Sequence, residues 1–436
     1  MNEPSREETL DVLLVDDSPT YRMILARALK GWPRANVVAT AGDGQAALDA
    51  IVQKKPHLVL LDVSMPVLDG IETLRRSRQR HDDVDVVMLS GLDESQTGLT
   101  MQALSLGALD FVPKPQGDNP TESFTALTTN LYPLLELAWA RRRRRFARAE
   151  AARQAKSGPR QMLVFGAPSN GPNHSAPPNR STSTISSPDS QIVPPTEPIS
   201  RPRPAPPAAS PQAPARPAPP APPKAVPVAK PIGPSTRRPP RNPELVVVGV
   251  STGGPNALHA LVPHIPRNFP LPILCVQHMP PLFTASLAER LDRESQIRVS
   301  EGAEGQSLEP GRMVIAPGGV HMVLVRSPDG RLKLSMRDDP PVHSCRPSVD
   351  VLFRSVADLG MPVLSVVLTG MGSDGADGVK DLRAKGAWSL VQDEATSVVW
   401  GMPGAVHASG QADEVLPLES IAPRLADLAS GKGGHP

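Results

Sequence analysis

A recurring unit restricts the fold more than anything else in this chain. A short apolar run, often β-branched, stops at a polar residue and gives way to a helical pattern. Residues 12–15 stop at Asp16-Asp17-Ser18, 58–61 at Asp62, and 84–89 at Ser90, while 110–112 lead into Lys114-Pro115. A further strand is expected at 37–39. Helical patterns fall at 19–29, 44–52, near 97–105 and at about 124–140. Such repeats predict a parallel sheet covered by helices on both faces, an α/β fold. The pattern resumes after residue 245, with strands expected at 245–248, 272–276, 313–316, 363–368 and 388–391. A hairpin is expected around Ser327-Pro328-Asp329-Gly330, and helices at 280–291, 347–359 and 418–428.

In an open parallel sheet the carboxyl ends of the strands gather in one crevice. Asp16, Asp17, Asp62, Ser90 and Lys114 are all expected there. Crowded carboxylates repel one another unless a hard divalent cation sits among them, and Mg²⁺ prefers oxygen ligands. A lysine and a hydroxyl beside them would stabilise a phosphoryl group on one carboxylate. Any one of these residues alone is more often a solvated loop residue. Five at matching strand ends are not explained that way.

The second half is organised around Leu245 to Pro255, where an apolar run enters Gly249-Val250-Ser251-Thr252-Gly253-Gly254-Pro255. Pro255 suits a first helical turn, so Ser251 is expected between strand and helix, near free N–H groups that favour developing negative charge. The stretch fits a phosphate-binding loop and a serine nucleophile equally well. His278 and Asp374 also follow apolar runs. With Ser251 they supply what a hydrolase needs: a hydroxyl to attack, an imidazole to carry the proton and a carboxylate to fix its tautomer. Thr252 and the loop at Gly370-Met371 are candidates for oxyanion donors. Each residue also has a plainer reading: Ser251 as a helix cap, His278 as a core histidine, Asp374 as a turn residue. The order Ser, His, Asp differs from that of the α/β-hydrolases, and Ser251 lacks the G-x-S-x-G elbow. His321 and His343 have no spacing that favours a metal site.

Between the two halves, residues 141–243 hold roughly half of the 53 prolines and carry a net charge of +15, against −8 for 1–140 and −5 for 244–436. This segment cannot bury enough apolar surface to fold and is expected to be disordered, with one small apolar island at Met162-Leu163-Val164-Phe165. Acidic flanking domains argue against nucleic acid as the main ligand. Two cysteines, Cys275 and Cys345, suggest no disulfide framework and a reducing cytosol. The polar N-terminus does not read as a signal peptide, and no apolar run approaches the ~20 residues that span a bilayer. A soluble cytoplasmic protein is expected.

Residues 10–135 resemble a response-regulator receiver domain, through Asp16-Asp17, the block Leu61-Asp62-Val63-Ser64-Met65-Pro66-Val67-Leu68-Asp69-Gly70, and Lys114-Pro115. The resemblance implies a flavodoxin-like doubly wound sheet. It makes Asp62 the phosphoacceptor, with Asp16, Asp17 and Asp62 as Mg²⁺ ligands, Ser90 and Lys114 as phosphoryl contacts and Phe111 as a switch aromatic. A cis Lys114-Pro115 bond also belongs to the resemblance.

Residues 244–420 resemble the catalytic domain of the CheB family of protein-glutamate methylesterases. The matching blocks begin at Gly249, Gln277, Ile315, Arg346, Leu368 and Gln392. The resemblance implies a doubly wound α/β catalytic domain over 244–430, with Ser251 as nucleophile, His278 as general acid and base, Asp374 as its orienter and Met371 in the oxyanion loop. It further implies glutaminase activity, methyl-accepting chemotaxis receptors as substrates, a chemotaxis histidine kinase as phosphodonor, recruitment to receptor arrays, and a receiver that covers the active site until phosphorylated. No cofactor is implied for the esterase. Leu287 and Met313-Val314 depart from residues common in the family. Two rivals are a nucleic-acid-binding output domain, which would need a basic element in the acidic second half, and a nucleotide-binding module, which would need the Lys of a P-loop.

Overall fold

The computed structural model describes residues 9–80, 83–115, 119–157 and 237–431. The first half contains β1 (Leu10–Val15), β2 (Ala35–Ala41), β3 (Leu58–Asp62), β4 (Asp85–Ser90) and β5 (Asp110–Pro113). Its helices are α1 (Pro19–Lys30), α2 (Gly44–Lys54), α3 (Gly70–Gln79), α4 (Glu94–Ser105) and α5 (Pro120–Ser157). The strands pair in parallel in the order β2-β1-β3-β4-β5. Neighbours on the two sides of β1 are reached in opposite directions along the chain. The switch point, where ligands bind in such sheets, therefore lies at the carboxyl ends of β1 and β3.

Local chemistry places each helix start near that crevice. Ser18, Asp43, Asp69 and Asp93 each accept the N–H of a residue three further on, capping α1, α2, α3 and α4. Gly70 is required by close approach, because a Cβ there would overlap the Asp62 carbonyl. Helix α5, expected over about 124–140 with an extension at most into Arg148, runs through Ser157 and so continues into the segment expected as a linker from Arg141. Arg and Ala are good helix formers, and Arg141 and Arg145 pair with the buried Asp85 at 3.3 and 3.1 Å. The rest of the expected linker, including Met162 to Phe165, lies outside the described residues.

The second half adds β6 (Leu245–Val250), β7 (Ile273–Gln277), β8 (Arg298–Glu301), β9 (Arg312–Ile315), β10 (His321–Arg326), β11 (Leu332–Arg337), β12 (Val363–Val367), β13 (Trp388–Gln392) and β14 (Glu414–Leu416). Seven of these form a parallel sheet, β14-β13-β12-β6-β7-β9-β8, and β10 and β11 make the expected hairpin. The helices are α6 (Gly254–Leu261), α7 (Phe283–Glu294), α8 (Val349–Asp358), α9 (Ala376–Ala384), α10 (Met402–Ala408) and α11 (Leu418–Ala429). The chain leaves β6 toward β7 and later returns to its other side at β12, so the switch point of this sheet is the carboxyl end of β6. Strands β6, β7, β12 and β13 are buried along their whole length, which accounts for their predominantly apolar sequences. Helix α8 buries Val349, Leu352, Phe353, Val356 and Ala357, one face at helical spacing. Truncating Phe353 would cost about 3–5 kcal/mol.

Candidate active site

In the first half, Asp62 ends β3, Ser90 ends the neighbouring β4, and Asp16 directly follows β1. Asp16 and Asp62 are buried and Asp17 is exposed, yet the three carboxylates converge within 4.8 Å. Lys114 Nζ lies 2.8 Å from both Asp16 Oδ2 and Asp62 Oδ1. Burial raises the Asp62 carboxyl above its ordinary range despite the lysine. Burial works against the Lys114 cation, but the two carboxylates outweigh it and raise its pKa. Asp62 Oδ1 is buried and accepts no well-directed hydrogen bond. The three converging carboxylates form an oxygen donor set that fits a hard divalent cation. Ser90 is buried, donates to Gly91 O at 3.1 Å and accepts from Thr100 Oγ1 at 2.7 Å. The Lys114-Pro115 bond is not cis; among the described residues the cis bond is Arg346-Pro347. Proline's amide separates the two isomers by only about 0.5–1 kcal/mol, so local packing decides between them.

In the second half, Val250 and Gln277 are register partners, so Ser251 and His278 leave neighbouring strand ends. The His278 N–H donates to Val250 O at 3.2 Å, and Gln277 Nε2 donates to Ser251 O at 3.1 Å. Gly254 N–H donates back to Ser251 O at 2.7 Å, closing a tight turn in which Gly253 has φ +76°. Gly370 abuts the serine: a Cβ there would stand 2.9 Å from Ser251 Cβ.

Asp374 is buried and faces the start of α8. It accepts from Ser348 Oγ (2.9 Å), Val349 N (2.8 Å) and Asp350 N (3.0 Å), and its Oδ2 lies 2.8 Å from His278 Nε2. Burial alone would raise this carboxyl, but the imidazole and the helix N–H groups outweigh it and hold it below the usual range. Burial disfavours the His278 cation, yet the bonds to Asp374 and Cys345 push the imidazole up to about 9. Asp350, fully buried, braces the same loop by accepting from Gly375 N (3.0 Å) and Gly378 N (2.7 Å).

The structure therefore brings Ser251, His278 and Asp374 to one end of one sheet. With Nε2 on Asp374, the nitrogen left for Ser251 is Nδ1. Here Nδ1 faces Cys345 Sγ at 3.5 Å, and no hydrogen bond joins His278 to Ser251 among the described residues. Of the oxyanion candidates, Gly370 N–H is committed to Val399 O. The N–H groups of Thr252 and Met371 are engaged by no hydrogen bond among the described residues. His321 is structural: its ring contacts Pro340 O and accepts from Ser348 N. His343 contacts Asp350 at 3.2 Å.

The two halves meet near the serine loop. Phe111 stacks on Phe283, with centroids 4.4 Å apart and planes 17° off parallel. Arg290 donates to Met101 O at 2.8 Å, and Asn256 to Ala108 O at 3.3 Å. Asp110, unremarked in the sequence, accepts from Gly253 N–H and the Thr252 side chain, and its burial there pushes its carboxyl up to about 7. Cys345 was likewise unremarked as a site residue. Its contact with His278 joins positions 67 apart and leaves no local signal.

Comparison with known proteins agrees with this organisation. Residues 246–425 match the CheB methylesterase family and 12–123 the response regulator receiver domain. A protein-glutamate methylesterase/protein-glutamine glutaminase of Desulfotalea psychrophila is 37% identical over 96% of this chain and 98% of its own length. One of the same description from Symbiobacterium thermophilum is 36% identical over 98% and 99%. The crystal structure of the Thermotoga maritima CheB methylesterase catalytic domain is 40% identical, covers 43% of this chain and 99% of its own, and superposes with a TM-score of 0.42. The chain is thus a two-domain response-regulator enzyme. It belongs to the CheB methylesterase family.

Proposed function

We propose that the chain hydrolyses glutamate γ-methyl esters on methyl-accepting chemotaxis receptors, releasing methanol, and deamidates specific receptor glutamines at the same site. The observation that carries the chemistry is the placement of Ser251 and His278 on neighbouring strand ends, with Asp374 gripping the far nitrogen of the imidazole. Ser251 Oγ attacks the acyl carbon while His278 Nδ1 takes its proton and passes it to the departing methanol or ammonia. Asp374 fixes the tautomer with Nδ1 free to accept. The N–H groups of Thr252 and Met371 are the donors for the oxyanion. A water molecule, its proton taken by the same nitrogen, then releases glutamate and restores the serine.

The receiver controls this chemistry. Asp62 accepts a phosphoryl group from a chemotaxis histidine kinase, and Ser90 and Lys114 contact it. Asp16, Asp17 and Asp62 would hold Mg²⁺, which supplies positive charge to offset the phosphoryl group. The Phe111–Phe283 stack supports a link between receiver state and active site, since a shift at Phe111 must disturb the esterase. Acidic folded domains support the absence of a nucleic-acid role. No helix among the described residues is long and apolar enough to cross a membrane. We place the enzyme in the cytoplasm at receptor arrays, on the substrate reading alone.

Methanol release from methylated receptor, compared between the wild type and Ser251→Ala, tests the chemistry. Loss of release in a folded variant is expected. Release at the wild-type rate would remove Ser251 as the nucleophile.

A further inference from the structure

We propose that Cys345 and His278 form a binding site for a thiophilic divalent cation of the zinc type, and that its occupation switches the esterase off. The effect on activity rests on the function proposed above; the binding site itself does not.

The geometry is that of a metal site with its ligands already in position. Zinc takes thiolate sulfur at about 2.3 Å and imidazole nitrogen at about 2.0–2.1 Å in tetrahedral arrangement, which sets sulfur and nitrogen roughly 3.5–3.6 Å apart. Cys345 Sγ and His278 Nδ1 are 3.5 Å apart. Metal-binding histidines almost always give their other ring N–H to a carboxylate, a backbone carbonyl or water. His278 Nε2 lies 2.8 Å from Asp374 Oδ2, and Asp374 is itself held by Ser348 and the backbone of Val349 and Asp350. Asp374 thus orients the ligand and is too fully engaged to be one.

The turn carrying the thiol is built with strain. Val342 and Cys345 exchange backbone hydrogen bonds of 3.1 and 2.8 Å around His343 and Ser344, whose φ values are +50° and +62°. Left-handed backbone is sterically disfavoured at non-glycine residues. The contact of His343 Nε2 with the buried Asp350 helps to hold the turn. Cys345 is half-buried, and the other cysteine, Cys275, is fully buried in β7. Binding releases the Cys345 thiol proton and the proton on His278 Nδ1 to solvent, so that thiolate and neutral imidazole share the metal and water completes its coordination. The metal then occupies the nitrogen that must accept the Ser251 proton. With two protein ligands, the site suits a reversible inhibitor rather than a resident cofactor.

Cobalt(II) titration of the full chain tests binding directly, because a thiolate ligand gives a sulfur-to-cobalt charge-transfer band that oxygen sites do not. The band is expected in the wild type and in Cys275→Ala, and is lost in Cys345→Ala. In parallel, zinc inhibition of methanol release is measured relative to each protein's own zinc-free rate. Half-inhibition in Cys345→Ala is expected to need at least about tenfold more zinc. A wild type without the band, a band that survives in Cys345→Ala, or equal zinc sensitivity of the two proteins overturns the proposal. If the zinc-free wild type releases no methanol, the esterase reading fails, and the cobalt spectrum alone decides the site.

Discussion

His278 Nε2 lies 2.8 Å from Asp374 Oδ2, and the opposite nitrogen of the same ring lies 3.5 Å from Cys345 Sγ. The first contact fixes which nitrogen is left to act as the proposed base. Replacing Asp374 by Asn keeps the shape but lets the imidazole settle in the wrong tautomer. Asp374→Asn is expected to lower kcat by roughly 10³–10⁴-fold with little change in KM, as measured by steady-state methanol release. A loss below tenfold would contradict the role of Asp374.

Asp110 gives the receiver contact a pH dependence with a definite sign. Its carboxyl is pushed up to about 7 at the contact with Thr252 and Gly253, from an ordinary value of 3.8. A raised pKa means that the closed arrangement binds the proton more tightly than the open one. The contact is then strongest below about pH 4 and weakens as pH rises toward 7. The ratio of unstimulated to phosphodonor-stimulated rate, each pair measured at one pH, should rise between pH 5 and pH 8. Asp110→Asn removes the charge, so the ratio should stay low and flat. A wild-type ratio that falls with pH would contradict this sign.

The Phe111–Phe283 stack should bias the unphosphorylated enzyme toward the closed state. Such pairs contribute about 0.5–1.5 kcal/mol beyond area burial. Phe283→Leu keeps most of the apolar volume and loses the stack. Its unstimulated rate should rise roughly two- to tenfold, while its stimulated rate changes less. An unchanged unstimulated rate in the folded variant would remove the stack from the switch.

Gly370 is required by the closeness of Ser251, the proposed nucleophile. An alanine there would bring its methyl to 2.9 Å from Ser251 Cβ and overlap Met402 Sδ. Met402 can move, so the fold should survive while the serine is displaced. Gly370→Ala is expected to cut kcat by about 10²-fold with an intact thermal transition. Near-normal kcat would mean that the loop yields instead.

Much of this was legible in the sequence because the sheet forces it. Polar residues that close buried runs must emerge at one edge of a parallel sheet, so Asp16, Asp62, Ser251 and His278 were found by position. Helix α3 was missed because its apolar residues are few and lie among arginines. Helix α9 was hidden by the Asp and Gly residues before it, which read as a loop. Three of the four donors to Asp374 come from the start of α8, 24 to 26 residues away, and the fourth is His278. The contacts of Asp110 with Gly253 and of Cys345 with His278 join distant positions and leave no trace in spacing.

The coupling of Asp62 to Ser251 is the central claim, and methanol release by the full chain with and without a small-molecule phosphodonor tests it most directly. The wild type should be stimulated in the presence of Mg²⁺, whereas Asp62→Ala should retain a low rate that the phosphodonor does not change. An Asp62→Ala protein stimulated as strongly as the wild type would contradict the account.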